Sequence, residues 1–216
     1  MCGDLLESSA FEALRAVGHM RRYRRGEPIM HERQVPDSIV VICAGHAKLT
    51  RGGGHGSETL LAIAGTGELL GELSAIDREP RSATATALDD VEALEVPTSA
   101  FTALLNQRPD LSRHLMQVLS RRLRNSGLMR AEFAALDSVG RVCARLVELG
   151  RRFGHPAGEA MRIEMPITQE ELADWAACSQ EATGKALRAL RDLGWIETAR
   201  GEITVHEPDK LEERAS

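Results

Sequence analysis

Gly67-Glu-Leu-Leu-Gly-Glu-Leu-Ser-Ala-Ile-Asp-Arg-Glu-Pro-Arg-Ser-Ala-Thr-Ala-Thr-Ala87 is the stretch on which the fold turns. Gly71 has no Cβ, so a backbone or a ligand can come close there. Leu73 to Ile76 suit one helical turn whose free N–H groups face an anion. Pro80 biases Glu79 away from the helical region and is expected to stop that turn. Arg81 then offers a planar fork for phosphate, with the Ser82 hydroxyl beside it. From Ser82 onward Ser and Thr alternate with Ala83, Ala85 and Ala87, which predicts a strand with one small-residue face and room for a ligand. Glu72 adds an acid for sugar hydroxyls. Taken by composition alone, the same residues suit a surface hairpin in which Glu72 and Arg81 pair with each other.

In its full order the stretch closely resembles the phosphate-binding cassette of cyclic nucleotide-binding domains. The resemblance implies that Glu72 binds the ribose 2′-hydroxyl and that Arg81 with Ser82 holds the cyclic phosphate, Gly71 and Leu73 completing the cassette.

Composition sets the bounds. The chain has 216 residues, 43% hydrophobic and 27% charged, ordinary values for a globular protein with one large or two modest domains. No apolar run approaches the roughly eighteen residues of a membrane helix. Met1-Cys-Gly-Asp4 lacks the basic-then-apolar layout of a signal peptide, so a cytoplasmic protein without membrane attachment is expected. Cys2, Cys43, Cys143 and Cys178 are scattered, which argues against a zinc ribbon or an iron–sulfur cluster. Cys43 and Cys143 read instead as small buried hydrophobes. A formal net charge of −5 gives no general hint of nucleic-acid binding, so any such reading must rest on local charge placement. The seven histidines are dispersed and no Ser/His/Asp set or paired carboxylates emerge, so an enzyme is not expected.

Taken in order, Ser9-Ala-Phe-Glu12 reads as a capping box opening a short helix with Phe11, Leu14 and Val17 on one face. Short runs follow at 21–25, 28–31, 38–43, 46–51 and 58–64, separated by Gly26, Pro36-Asp37, Ala44-Gly45 and Gly52-Gly53-Gly54. With the cassette and 91–96 they predict about eight closely spaced strands, the signature of a jelly-roll-like β domain. Arg21 to Arg25 read as a solvated strand. After Pro97 the period changes, and 98–106 predicts a helix with Phe101, Leu104 and Leu105 on one face. Pro109-Asp110 starts a long helix to about 136, whose narrow apolar stripe, flanked by Arg121, Arg122, Arg124 and Arg130, suggests pairing with a second copy of itself. Ser126-Gly127 interrupts that stripe. Asp137-Ser138 begins a further helix with Gly150 near its end, and 154–158 reads as a loop.

Thr168-Gln-Glu-Glu171 is another capping box, launching a helix with Leu172, Ala173 and Trp175. After Ala176-Ala177-Cys178, Ser179 caps a second helix that Gly194 ends. Two short helices with this link predict a helix-turn-helix. Runs at 195–198 and 202–206 form a hairpin, the wing. Gln180, Glu181, Lys185 and Arg188 would face base edges in a major groove, with Ser179, Gln169 and Arg200 placed for phosphates.

Together the parts resemble the Crp/Fnr family of bacterial transcription regulators along nearly the whole chain. The fold this implies is α+β, with a β-roll cyclic nucleotide-binding domain and dimer helix in 1–136 and a winged helix-turn-helix in 137–216. The resemblance implies a homodimer through about 109–136, double-stranded DNA and RNA polymerase as partners, and cyclic AMP or cyclic GMP as effector, with no prosthetic group. Three departures stand out. Family recognition helices commonly begin Ser-Arg-Glu-Thr-Val-x-Arg, where this chain has Ser179-Gln-Glu-Ala-Thr-Gly-Lys185, so the familiar half-site is not implied. The turn usually has glycine where this chain has Ala177, and a left-handed alanine costs roughly 1–2 kcal/mol. The two polar residues that reach adenine in cyclic-AMP-binding members match Ser126 and Gly127, so sugar and phosphate contacts are kept while base selection is weakened. An effector-independent regulator is the alternative, and a nucleotide-binding adaptor that leaves DNA alone is a further one.

Overall fold

The computed structural model describes residues 8–53 and 58–216. Cys2, His55 and part of the expected turn at Gly52-Gly53-Gly54 lie outside them. The chain divides into two compact units, Met1–Arg122 and Leu123–Ser216. The division falls inside the long helix, ahead of the boundary expected at residue 136.

Among the described residues the first unit has eight strands. These are β1 (His19–Tyr23), β2 (Pro28–Met30), β3 (Ser38–Ala44), β4 (Ala47–Gly52), β5 (Glu58–Ala64), β6 (Leu69–Leu70), β7 (Thr84–Ala87) and β8 (Val91–Pro97). They form two antiparallel sheets, ordered β1-β8-β3-β6 and β2-β7-β4-β5. Side chains alternate between the two faces of a strand, and β3 uses both. Ile39 and Val41 pack with Leu94, Val96 and the helices, while Val40 and Ile42, with Tyr23 of β1, pack against the other sheet through Ala47, Ala85 and Ala87. The small-residue face of β7 therefore lies within the inter-sheet core rather than leaving room for a ligand.

Three helices close the helical side of this unit, with the start of a fourth: α1 (Ser8–Val17), α2 (Glu72–Asp77), α3 (Thr98–Gln107) and α4 (Pro109–Ala135). Ser9 lies inside α1, not at its cap, and its hydroxyl accepts a hydrogen bond from Arg108. Ala10 and Leu14 are the buried positions, whereas Val17 is exposed. In α4 only Leu111 and Leu115 are buried.

The second unit follows with α5 (Ser138–Phe153), β9 (Gly154–Ala157), β10 (Ala160–Glu164), α6 (Gln169–Trp175), α7 (Gln180–Asp192), β11 (Ile196–Ala199), β12 (Glu202–Val205) and α8 (Pro208–Arg214). Asp137 caps α5 by accepting from the Gly140 amide at 2.8 Å. Gly150 lies in the last turn of that helix, as expected, and makes room for Met161, whose sulfur would stand 2.6 Å from an added Cβ. The segment read as a loop at 154–158 pairs instead with β10 and extends the wing to a four-stranded sheet, β11-β12-β10-β9. Neither β10 nor α8 was anticipated. Val142, Leu146, Leu149, Leu172, Ala173, Trp175, Leu190 and Leu211 are buried in this unit.

Candidate functional site

Gly71 stands at the head of α2 with φ +79°, a left-handed conformation that suits a residue without a side chain. The helix ends at Arg78, itself left-handed at φ +64°, whose amide donates to the Ser74 carbonyl at 3.0 Å. The stop thus comes from Arg78, two residues before Pro80. Leu73 and Ile76 are exposed on this helix, and Glu72 is buried.

Arg81 reaches back across Gly71. Its Nη1 donates to the Gly71 carbonyl at 2.9 Å, and its Nη2 donates to the Ser38 carbonyl and lies 3.5 Å from Asp37 Oδ1. A Cβ on Gly71 would fall 2.2 Å from Nη1, so the glycine is what lets the guanidinium in. Arg81 is only 3% exposed, and its Nε is buried with no hydrogen-bond partner. Burial pulls its pKa below the ordinary guanidinium value, against the opposing pull of Asp37 and Glu72. A buried cation with an unused donor is the chemistry that accepts an anion such as phosphate. Ser82, directly after it, is exposed.

Glu72 is not paired with Arg81. Its Oε1 accepts from Arg122 Nη1 at 2.5 Å, and Arg122 Nη2 donates to the Leu69 carbonyl at 2.6 Å. Arg122 comes from α4, so the long helix supplies the cation that partners the cassette's buried carboxylate. The available signal is physical rather than a motif: a buried carboxylate requires a cation. Ser126 and Gly127 lie further along α4, both exposed, and α4 remains helical through the glycine. Nothing stands within 4 Å of a Cβ placed on Gly127.

In the second unit the two capped helices form as expected. Thr168 and Glu171 make a full capping box on α6, and the Ser179 hydroxyl accepts from the Ala182 amide on α7. Ala177 adopts a left-handed conformation, at φ +49°, with alanine where glycine is usual. The Ala177 amide bonds the Asp174 carbonyl and the Cys178 amide bonds the Ala173 carbonyl.

Gln180, Glu181, Lys185 and Arg188 are all exposed on α7, and Arg200 is exposed in the turn between β11 and β12. Lys185 Nζ pairs with Glu181 Oε1 at 2.7 Å, so this exposed face of α7 carries its own counter-charge. Gln169 Nε2 donates to the Gln180 carbonyl at 3.2 Å and packs against Gly184, so this side chain braces α7. Among the described residues no group of His, Cys, Asp and Glu could hold a metal ion, and no helix is long and apolar enough to cross a membrane.

Residues 20–108 match the family model for the cyclic nucleotide-binding domain, and residues 140–214 match that for the Crp-like helix-turn-helix domain. Over 97% of this chain and 94% of its own length, the CRP-like cAMP-activated global transcriptional regulator of Mycobacterium tuberculosis is 33% identical. The cyclic AMP receptor protein of Thermus thermophilus is 32% identical over 90% of this chain and 87% of its own. Among solved structures, the Thermus thermophilus catabolite activator protein is similar with a TM-score of 0.54 at 30% identity, covering 97% of this chain and 95% of that one. FixK2 from Bradyrhizobium japonicum shares the fold with a TM-score of 0.80 at 19% identity, covering 93% and 98%. With both domain models in order and relatives matched end to end, the chain belongs to the Crp/Fnr family of DNA-binding transcription regulators, which are not enzymes.

Proposed function

We propose that this chain is a homodimeric transcription regulator whose DNA affinity is set by a cyclic nucleotide, cyclic AMP first and cyclic GMP second. The observation that carries this reading is the buried, unpartnered Nε of Arg81, in a guanidinium that otherwise holds the Gly71 and Ser38 carbonyls. Arg81 and Ser82 hold the cyclic phosphate and Glu72 the ribose, with Gly71 and Leu73 shaping the cassette and Ser126 and Gly127 facing the base. The names of the Mycobacterium and Thermus relatives support cyclic AMP as the effector. Two copies pair along α4 and present two α7 helices to a pseudo-palindrome, as its exposed Met116, Leu123, Leu128 and Phe133 favour. Ser179, Gln180, Glu181, Lys185, Arg188 and Arg200 meet the DNA, in the cytoplasm and beside RNA polymerase.

Titration calorimetry with each nucleotide, followed by gel retardation on palindromic DNA selected from random sequence, tests the proposal. Heat with cyclic AMP and tighter retardation are expected, and Arg81→Ala abolishes both while DNA is still bound. DNA binding with no heat from either nucleotide favours a second reading, an effector-independent regulator. Two observations speak for that reading: Glu72 is already held by Arg122, and Gly127 offers the base no side chain.

A further inference from the structure

Beyond Leu115 no residue of α4 is buried, so apolar packing does not fix its last turns. What grips them in the second unit is a pair of arginines from α5, one helical turn apart. Arg141 lays its guanidinium over the Phe133 ring at 4.9 Å. Arg145 donates from Nη2 to Glu132 of α4 and from Nη1 to Glu148 at 2.8 Å. Arg145 also stacks over the ring of Trp175 in α6, 5.4 Å from its centroid. Its side chain is 4% exposed, so this is a buried cation touching three helices at once.

We propose that Arg145 is the positioning residue that sets the reading unit against the last turns of α4. The fork is planar and both ends are engaged, so its plane follows the two carboxylates. Loss of one of its two carboxylate partners is costly for a buried guanidinium, so a displacement of Glu132 draws Arg145 with it. The Trp175 ring beneath must then move as well. Trp175 is the last residue of α6, directly before the turn that leads to the Ser179 cap and α7. One side chain thus connects the end of the pairing helix to the start of the reading helix. Glu148 has a second partner in Arg152, at 3.2 Å, and holds the fixed end of the link.

The proposal rests on the DNA-reading dimer described above and not on the nucleotide. The test compares the full chain's affinity for a selected palindrome with its affinity for a duplex carrying one half-site. Glu132→Gln is the principal variant, because Arg145 keeps Glu148 and the unit stays folded. Half-site affinity should stay within about twofold, while the advantage of the palindrome falls about tenfold. Arg145→Gln should lose the same advantage, and the double variant should lose no more than either single one, since all three break one connection. A palindrome advantage unchanged in Glu132→Gln, or losses that add in the double variant, overturns the proposal alone. An unaltered chain that binds no half-site, or gains nothing from the palindrome, overturns the function on which it rests and the proposal with it.

Discussion

Replacing Gly71 by alanine would put a methyl carbon 2.2 Å from Arg81 Nη1, at a backbone angle that L-residues seldom adopt. The guanidinium would have to leave the Gly71 carbonyl, and with it the geometry that aims its spare donor. Gly71→Ala is therefore expected to weaken nucleotide binding at least tenfold, about 1.4 kcal/mol, measured by calorimetry. The opposite change is favourable at Ala177. This alanine sits at φ +49°, and glycine would relieve roughly 1 kcal/mol of left-handed strain at some cost in chain entropy. Ala177→Gly should raise the urea midpoint of the second unit, followed by the fluorescence of Trp175 and Trp195, with an unchanged denaturant slope. Both positions were legible in the sequence, because each is a backbone demand stated by residue type. The environment of Arg81 was not: which carbonyls it takes, and that Nε is left over, depend on where Ser38 and Gly71 meet in space.

Elements were legible where a cap or a period announces them. Thr168 to Glu171 and Ser179 declare α6 and α7 by chemistry, and both begin where that chemistry says. The misses have the opposite character. Ala160–Glu164 alternates too weakly to declare a strand, and the β9 to β10 turn at Gly158 looks like part of a loop until the partner strand is known. Helix α8 is seven residues long and owes its place to Leu211, buried in the second unit, and to ion pairs with Arg151 of α5 and with Asp137, the cap of α5. One of those pairs bears a prediction. Asp137 accepts from the Gly140 amide and from Arg214, and these two hydrogen bonds hold its carboxyl below the usual range. A carboxylate lowered in the folded state adds stability that is present above about pH 4 and is lost as pH falls through the folded value. Asp137→Ala should cost about 1 kcal/mol at neutral pH, as loss of a helix cap does. The gap from the unaltered chain should close in urea titrations below about pH 4.

At the scale of the whole chain the order of parts was legible, since a strand-rich half, a long helix and a capped helix pair follow one another without overlap. The point of division was not, because α4 is continuous and the residues that meet its last turns, such as Arg145 at Glu132, come from a later helix. The chain carries a formal net charge of −5, and a polyanion such as DNA gains little from its bulk. On α7 the exposed ion pair of Lys185 with Glu181 goes further, because the carboxylate offsets part of the positive potential that this face offers to DNA. Charge neutralisation on DNA sets the salt slope of binding, at about 0.9 for each phosphate, so a face with its own carboxylate contributes less. Glu181→Gln should raise affinity for random DNA several-fold and steepen its salt dependence, read by fluorescence anisotropy across a potassium chloride series. On the proposed DNA-reading role of α7, the pair is expected to shorten dwell on unrelated sequence and sliding along it, which tracking of single molecules on stretched DNA would measure against Glu181→Gln.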